Sequence, residues 1–126
     1  MAKALSVYSE DAPRSLSEVL LLEVNRNWSR DTVTLAATTV DLPVGAVLAV
    51  NEDGTYVSYL AAAGNNEAAA MLVTPRIKST AAQEAVVIRR GARVSASGLA
   101  FLATVTDAQK QTAYAQLTAL GIVVEA

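Results

Sequence analysis

One helix-start signature constrains this chain more than any other feature it carries. Thr106-Asp107-Ala108-Gln109 has the form of a capping box, in which the Thr hydroxyl and the Gln side chain satisfy N–H groups that the first helical turn leaves without partners. Behind it Ala113, Tyr114, Leu117 and Leu120 make one apolar stripe, and Gly121 supplies the left-handed residue that ends such a helix. A helix over about 107–120 is expected, followed by a closing strand at Ile122-Val123-Val124. Nothing upstream has this form. The chain before it is cut into short runs of strand-forming residues, so the expected fold class is mainly β with one C-terminal α-helix.

Those runs are regular from Arg30 onward. Thr32-Val33-Thr34-Leu35 alternates at period two, and Ala46-Val47-Leu48-Ala49-Val50 reads as a buried strand. Asn51-Glu52-Asp53-Gly54 is a turn with Asp-Gly where a tight hairpin needs it, answered by Thr55–Leu60. In that return strand Tyr56, Ser58 and Leu60 share one face, with Val57 and Tyr59 on the other. Gly64-Asn65-Asn66 marks a loop. Ala68–Val73 suits a helix or a strand by propensity, and its brevity with Pro75 close behind favours a strand. Ala85-Val86-Val87-Ile88 is a buried strand, Arg89-Arg90-Gly91 a bend, and Ala92–Ser95 a half-exposed strand.

Residues 1–29 lack any sustained period and read as an extended N-terminal arm leading into a β-rich domain over 30–126. Only Leu20-Leu21-Leu22-Glu23-Val24 looks like a strand there, and Pro13 biases Ala12 toward extended backbone. Fully extended, such a segment spans at most ~100 Å at roughly 3.3 Å per residue. It either crosses onto a neighbouring molecule or tucks back on its own domain.

Composition narrows the function. The 126 residues fit one compact domain with a tail, and the core must rest on Val, Leu and Ala, because the chain has one Phe and one Trp. Small core side chains bury little area each, so burial between identical subunits would help the fold. A net charge of −2 argues against a nucleic-acid partner, which needs a basic face. No run approaches the roughly 18 apolar residues of a membrane span. The first residues lack the apolar core of a secretion signal, so a cytoplasmic site of synthesis is expected. With no Cys and no His, thiol nucleophiles, zinc ribbons, serine triads and the commonest metal ligand are missing. A Ser–Lys dyad would have to use Lys3, Lys78 or Lys110, each in a polar stretch where a desolvated amine is not expected. Paired carboxylates at Asp31 with Asp41, or Glu52 with Asp53, read better as charged turn residues. No catalytic residue, cofactor or metal is expected.

Two features suit protein contacts. Arg89, Arg90 and Arg93 are the densest cationic cluster, suited to an acidic protein surface or simply to a solvated strand end, with strand alternation sending Arg89 and Arg90 to opposite faces. Trp28, the one Trp, is either a packing anchor where arm meets domain or an interface hot spot.

The order of these segments resembles the lambda-type bacteriophage head decoration proteins, from about Pro13 to Val124. The resemblance rests on Pro13-Arg14-Ser15, Ser29-Arg30-Asp31-Thr32-Val33-Thr34, Pro43-Val44-Gly45-Ala46-Val47-Leu48, Ala70-Met71-Leu72, Val86-Val87-Ile88-Arg89-Arg90-Gly91 and the closing stretch Thr106–Val124. One departure stands out: the Arg-Gly bend is often followed by Pro in that family, and here by Ala92. The resemblance implies a β-clip or β-tulip-like domain that binds the outside of the expanded head at three-fold positions as a homotrimer. It also implies an N-terminal arm that adds to a sheet of the major capsid (coat) protein. On that reading the chain is a virion protein of the capsid exterior, and the arm residues Pro13, Arg14, Ser15, Leu20, Leu21, Leu22 and Val24, with Trp28, Arg89, Arg90 and Arg93, are its expected capsid-binding and interface residues. The competing reading is a non-enzymatic β-rich adaptor or ligand-binding module of another phage structural complex.

Overall fold

A computed structural model of the chain describes Tyr8, residues 15–60 and residues 67–125. The fold is mainly β with one long helix near the C-terminus. Its strands are β1 (Leu20–Glu23), β2 (Arg30–Leu35), β3 (Val47–Val50), β4 (Tyr56–Ser58), β5 (Ala70–Leu72), β6 (Gln83–Ile88), β7 (Ala92–Ser95) and β8 (Ile122–Glu125). A one-turn helix α1 (Arg26–Ser29) joins β1 to β2, and α2 covers Asp107–Ala119.

Five strands close into a barrel in the order β2-β4-β3-β5-β6. Its hairpin β3–β4 pairs Leu48 with Ser58 and Val50 with Tyr56 across the Asn51–Gly54 turn. Asp53 fixes that turn by accepting from the Thr55 N–H and hydroxyl. The barrel interior is filled by Leu35, Leu48, Tyr56, Ala70, Leu72, Ala85 and Val87, with Leu42 and Ala46. The alternate residues Val47, Met71 and Ile88 point out of the barrel into a second core. This explains why the runs at 46–50, 68–73 and 85–88 are continuously apolar, since both faces of those strands are covered.

The second core lies between the barrel wall and the remaining elements. A three-stranded sheet, ordered β1-β7-β8, supplies Val94 and Ile122, and α2 supplies Ala113 and Leu117. Tyr59, Phe101 and Tyr114 stack edge to face through this core, with ring centroids 6.1 and 5.9 Å apart. Three of the chain's six aromatic side chains thus meet where barrel and helix join. Alternation sends Tyr59 to this core, on the face opposite Tyr56, which stays inside the barrel.

The helix begins as its sequence dictates. The Thr106 hydroxyl accepts from the Gln109 N–H and the Gln109 side chain accepts from the Thr106 N–H, and Gly121 follows with φ +92°. Leu120, expected on the buried stripe, instead lies past the end of the core and is exposed.

Of the segment 1–29, the described part rests on the body. Residues 16–18 make a 3-10 turn, Val19 is completely buried in the second core, and β1 pairs antiparallel with β7, Leu22 opposite Arg93. The departure at Ala92 has a structural reason: its N–H donates to the Gly121 carbonyl, a bond that Pro cannot make.

Candidate functional site

Three of the residues expected at the interface, Trp28, Arg89 and Arg90, fall into one corner of the molecule, where β1, α1 and the β6–β7 bend meet. Asn25 caps α1 by accepting from the Asn27 N–H, and the single turn carries Trp28 across the bend. Gly91 sits at φ +59°, and a Cβ there would overlap the Trp28 ring, so only glycine lets the indole lie on the backbone. The buried Ser29 hydroxyl donates to the Gly91 carbonyl at 2.9 Å, and the Arg89 N–H donates to the Ser29 carbonyl. One face of Trp28 is therefore packed, yet the side chain remains 52 % exposed.

Arg89 and Arg90 do not diverge as alternation suggested. Strand β6 ends at Ile88, so the pleat no longer governs them, and both guanidinium groups converge on Asp31 Oδ2 at 2.9 Å. Arg90 also donates to the Trp28 carbonyl at 2.6 Å, with its guanidinium 6.0 Å from the indole centroid. The Arg90 hydrogen bond, with Arg89 in support, holds the Asp31 carboxyl below its ordinary range. Arg93 stands apart from this knot and pairs with Glu125 at 2.6 Å.

A second ion pair ties the N-terminal segment down. Arg30 grips Glu23 through Nε at 2.6 Å and Nη2 at 2.9 Å, linking β1 to β2. That two-pronged hydrogen bond lowers the Glu23 pKa. The spacing of seven residues across an irregular turn carried no periodic signal, which is why sequence reasoning missed the pair. Further toward the N-terminus, Tyr8 bridges to Leu102 and its hydroxyl donates to Ser58 Oγ at 2.9 Å; burial pushes that phenol up to about 12. Of the other expected arm residues, Pro13 and Arg14 lie outside the described residues, and Ser15 is exposed beside the 3-10 turn.

Register and burial define the outer face of the small sheet. Leu22, Arg93 and Val123 form one cross-strand row, while the neighbouring Ala92 and Ile122 are buried on the opposite face. Val24, whose N–H donates to the Gly91 carbonyl, lies two residues on and returns to the outer face at 69 % exposure. Trp28, Val24, Val50 and Leu120 then line an open groove of about 650 Å³ beside the row. Clustered exposure of this kind differs from scattered apolar residues and makes this face the candidate contact surface. Strand edges point the same way. Among the described residues, β1 and β8 each pair on one side only, while every barrel strand has neighbours on both.

Of the candidate chemical groups, Lys3 lies outside the described residues, and several others are engaged locally. Asp41 accepts from the Lys78 N–H, Asp53 is held by Thr55, and Lys110 lies 3.9 Å from Asp107 and 5.7 Å from the Phe101 ring centroid. Among the described residues, no cluster of three or more His, Cys, Asp or Glu has the arrangement of a metal site.

In a direct sequence comparison, no curated protein matches the chain. A family model does: bacteriophage lambda head decoration protein D matches residues 10–122, which takes in the β1–α1 segment, the barrel and the capped helix alike. The chain belongs to the bacteriophage lambda head decoration protein D family.

Proposed function

We propose that the protein is a non-enzymatic clamp that docks as a trimer on the outside of the expanded phage head, at three-fold positions, and stabilises it. The observation that carries this reading is the family match over residues 10–122 on a chain that keeps an apolar face and, among the described residues, two unpaired strand edges in view. A clamp that binds the assembled shell and not its dissociated parts stabilises it by mass action, about 2.7 kcal/mol when its free concentration is 100 times Kd. Three copies acting together make a modest single contact durable.

The N-terminal segment contributes by strand addition to a coat-protein sheet. Leu20–Glu23 keeps its bonds to β7 and offers its other edge, so β1 becomes the joint between two sheets. Leu21, Leu22 and Val24 project beside that edge, and Pro13, Arg14 and Ser15 extend the contact. Trp28, Arg89, Arg90 and Arg93 form the remainder of the docking surface on the virion exterior.

The test is co-sedimentation of purified protein with compact and with expanded empty shells of the phage's coat protein. Saturable binding to expanded shells alone, in multiples of three per symmetry position, is the expected result. No binding to either form would return the protein to the adaptor class. A companion variant, Pro13→Ala with Arg14→Ala, keeps Tyr8 on its bond to Ser58 and is expected to weaken shell binding while leaving the fold intact. Cutting as far as Arg26 would be uninformative, because it deletes β1 and the buried Val19.

A further inference from the structure

We infer that the groove beside Trp28 receives an extended coat-protein segment presenting an apolar side chain next to a carboxylate, laid along the open edge of β8. This rests on the decoration reading and specifies what the shell must offer.

Three observations lead there. The first is charge. The protein as a whole is acidic, at −2, yet the charged residues among the described lining of this groove are Arg89 and Arg90. They share one carboxylate, Asp31, so one positive charge is left over at the rim. An approaching carboxylate completes that balance, and Arg is suited to gripping it through two parallel N–H bonds.

The second is preorganisation. Arg90 is held by the Trp28 carbonyl as well as by Asp31, and the indole is fixed against Gly91. Neither group loses much freedom on binding, which favours affinity at a small surface. Beside them Val24, Val50 and Leu120 supply an apolar floor already exposed to water.

The third is the adjoining strand edge. Leu120 and Gly121 run directly into β8, which pairs in parallel with β7 and has no second neighbour among the described residues. A segment hydrogen-bonded along Ile122–Glu125 would project its end residues into the groove, combining main-chain affinity with side-chain selection. A second copy of this chain meeting the groove through the same face would instead set Arg89 and Arg90 against their own equivalents, a like-charge contact.

The experiment titrates expanded coat-protein shells with wild type, Val24→Glu, Leu120→Glu and Arg89→Gln. Val24 and Leu120 are exposed, so thermal midpoints near that of wild type verify that both variants fold. The expected result is an affinity loss of about tenfold or more for the two Glu variants, the scale of a buried anchor. Arg89→Gln is expected to bind more weakly at low salt and to lose part of the wild-type salt dependence. Wild-type binding with all three variants unchanged would overturn the inference. So would a change in the mass of the free protein by sedimentation velocity, which would assign the groove to a contact between copies. Shells that fail to bind wild type at all would overturn the decoration reading itself, a result seen before any variant is tested.

Discussion

The barrel and the three-stranded sheet are built from strands of similar length and composition, but they treat their edges in opposite ways. The barrel closes on itself, so every strand has two neighbours and the wall is apolar on both faces where it meets the second core. Among the described residues the small sheet is left open at β1 and β8, and its outer face carries Leu22, Val24 and Val123 beside the half-exposed Trp28. Closure removes the hazard of unpaired strand edges, and an open edge is ordinarily blunted by charge or by a covering loop. Here the open sheet keeps one outward ion pair, Arg93–Glu125, amid apolar side chains. On the proposed reading the two regions divide the work: the barrel holds the fold, and the sheet is left for the shell to complete.

That division has graded consequences. Leu72→Ala, in the barrel interior with no exposed surface, is expected to cost about 2–5 kcal/mol in denaturant unfolding, because a close-packed wall relaxes poorly around a cavity. Gly91→Ala is expected to cost less, about 1–3 kcal/mol, for the left-handed backbone it strains. It also lifts Trp28 off the bend, so the emission of the one Trp should shift to the red while far-ultraviolet dichroism stays put. Thr106→Ala removes half of the capping box and should lower stability by about 1 kcal/mol. Leu22→Gln, on the outer face, should leave stability within about 0.5 kcal/mol and reduce shell binding, separating the two kinds of surface.

Acid should act on the sheet side first. Glu23 is lowered chiefly by the hydrogen bond from Arg30, and Asp31 chiefly by that from Arg90. A carboxylate lowered in the folded state is protonated more readily when unfolded. Its contribution is therefore complete above the ordinary range near about 4 and fades as pH falls through the folded value. Amide protection in β1 and α1 is expected to weaken below that range before protection in the barrel does. Simultaneous loss in both regions would show that these pairs do not tie the segment down.

Much of this architecture was legible because local chemistry and tertiary structure agree. The capping box, the Asp-Gly hairpin and the Arg-Gly bend each specify a backbone conformation from adjacent residues, and each is found where expected. Closure of the barrel was not legible, since the single parallel contact of Leu35 with Tyr56 that seals it leaves no local trace. The convergence of Arg89 and Arg90 escaped for a related reason. Alternation holds only while a strand lasts, and β6 ends one residue too soon. The N-terminal segment was read by its lack of period, yet Val19 and the Glu23–Arg30 pair dock it through isolated long-range contacts that periodicity does not encode. Trp28 and the arginines were singled out by residue type alone, and it took the bend at Gly91 to bring Trp28, Arg89 and Arg90 together.

The most direct measurement is amide hydrogen exchange of the protein free and bound to expanded coat-protein shells. New protection should concentrate at residues 20–28 and 120–125, with the barrel strands β3, β5 and β6 unchanged. Protection confined to the barrel side, for instance at residues 76–84, with the small sheet exchanging as in the free protein, would contradict the assignment of docking to the open sheet.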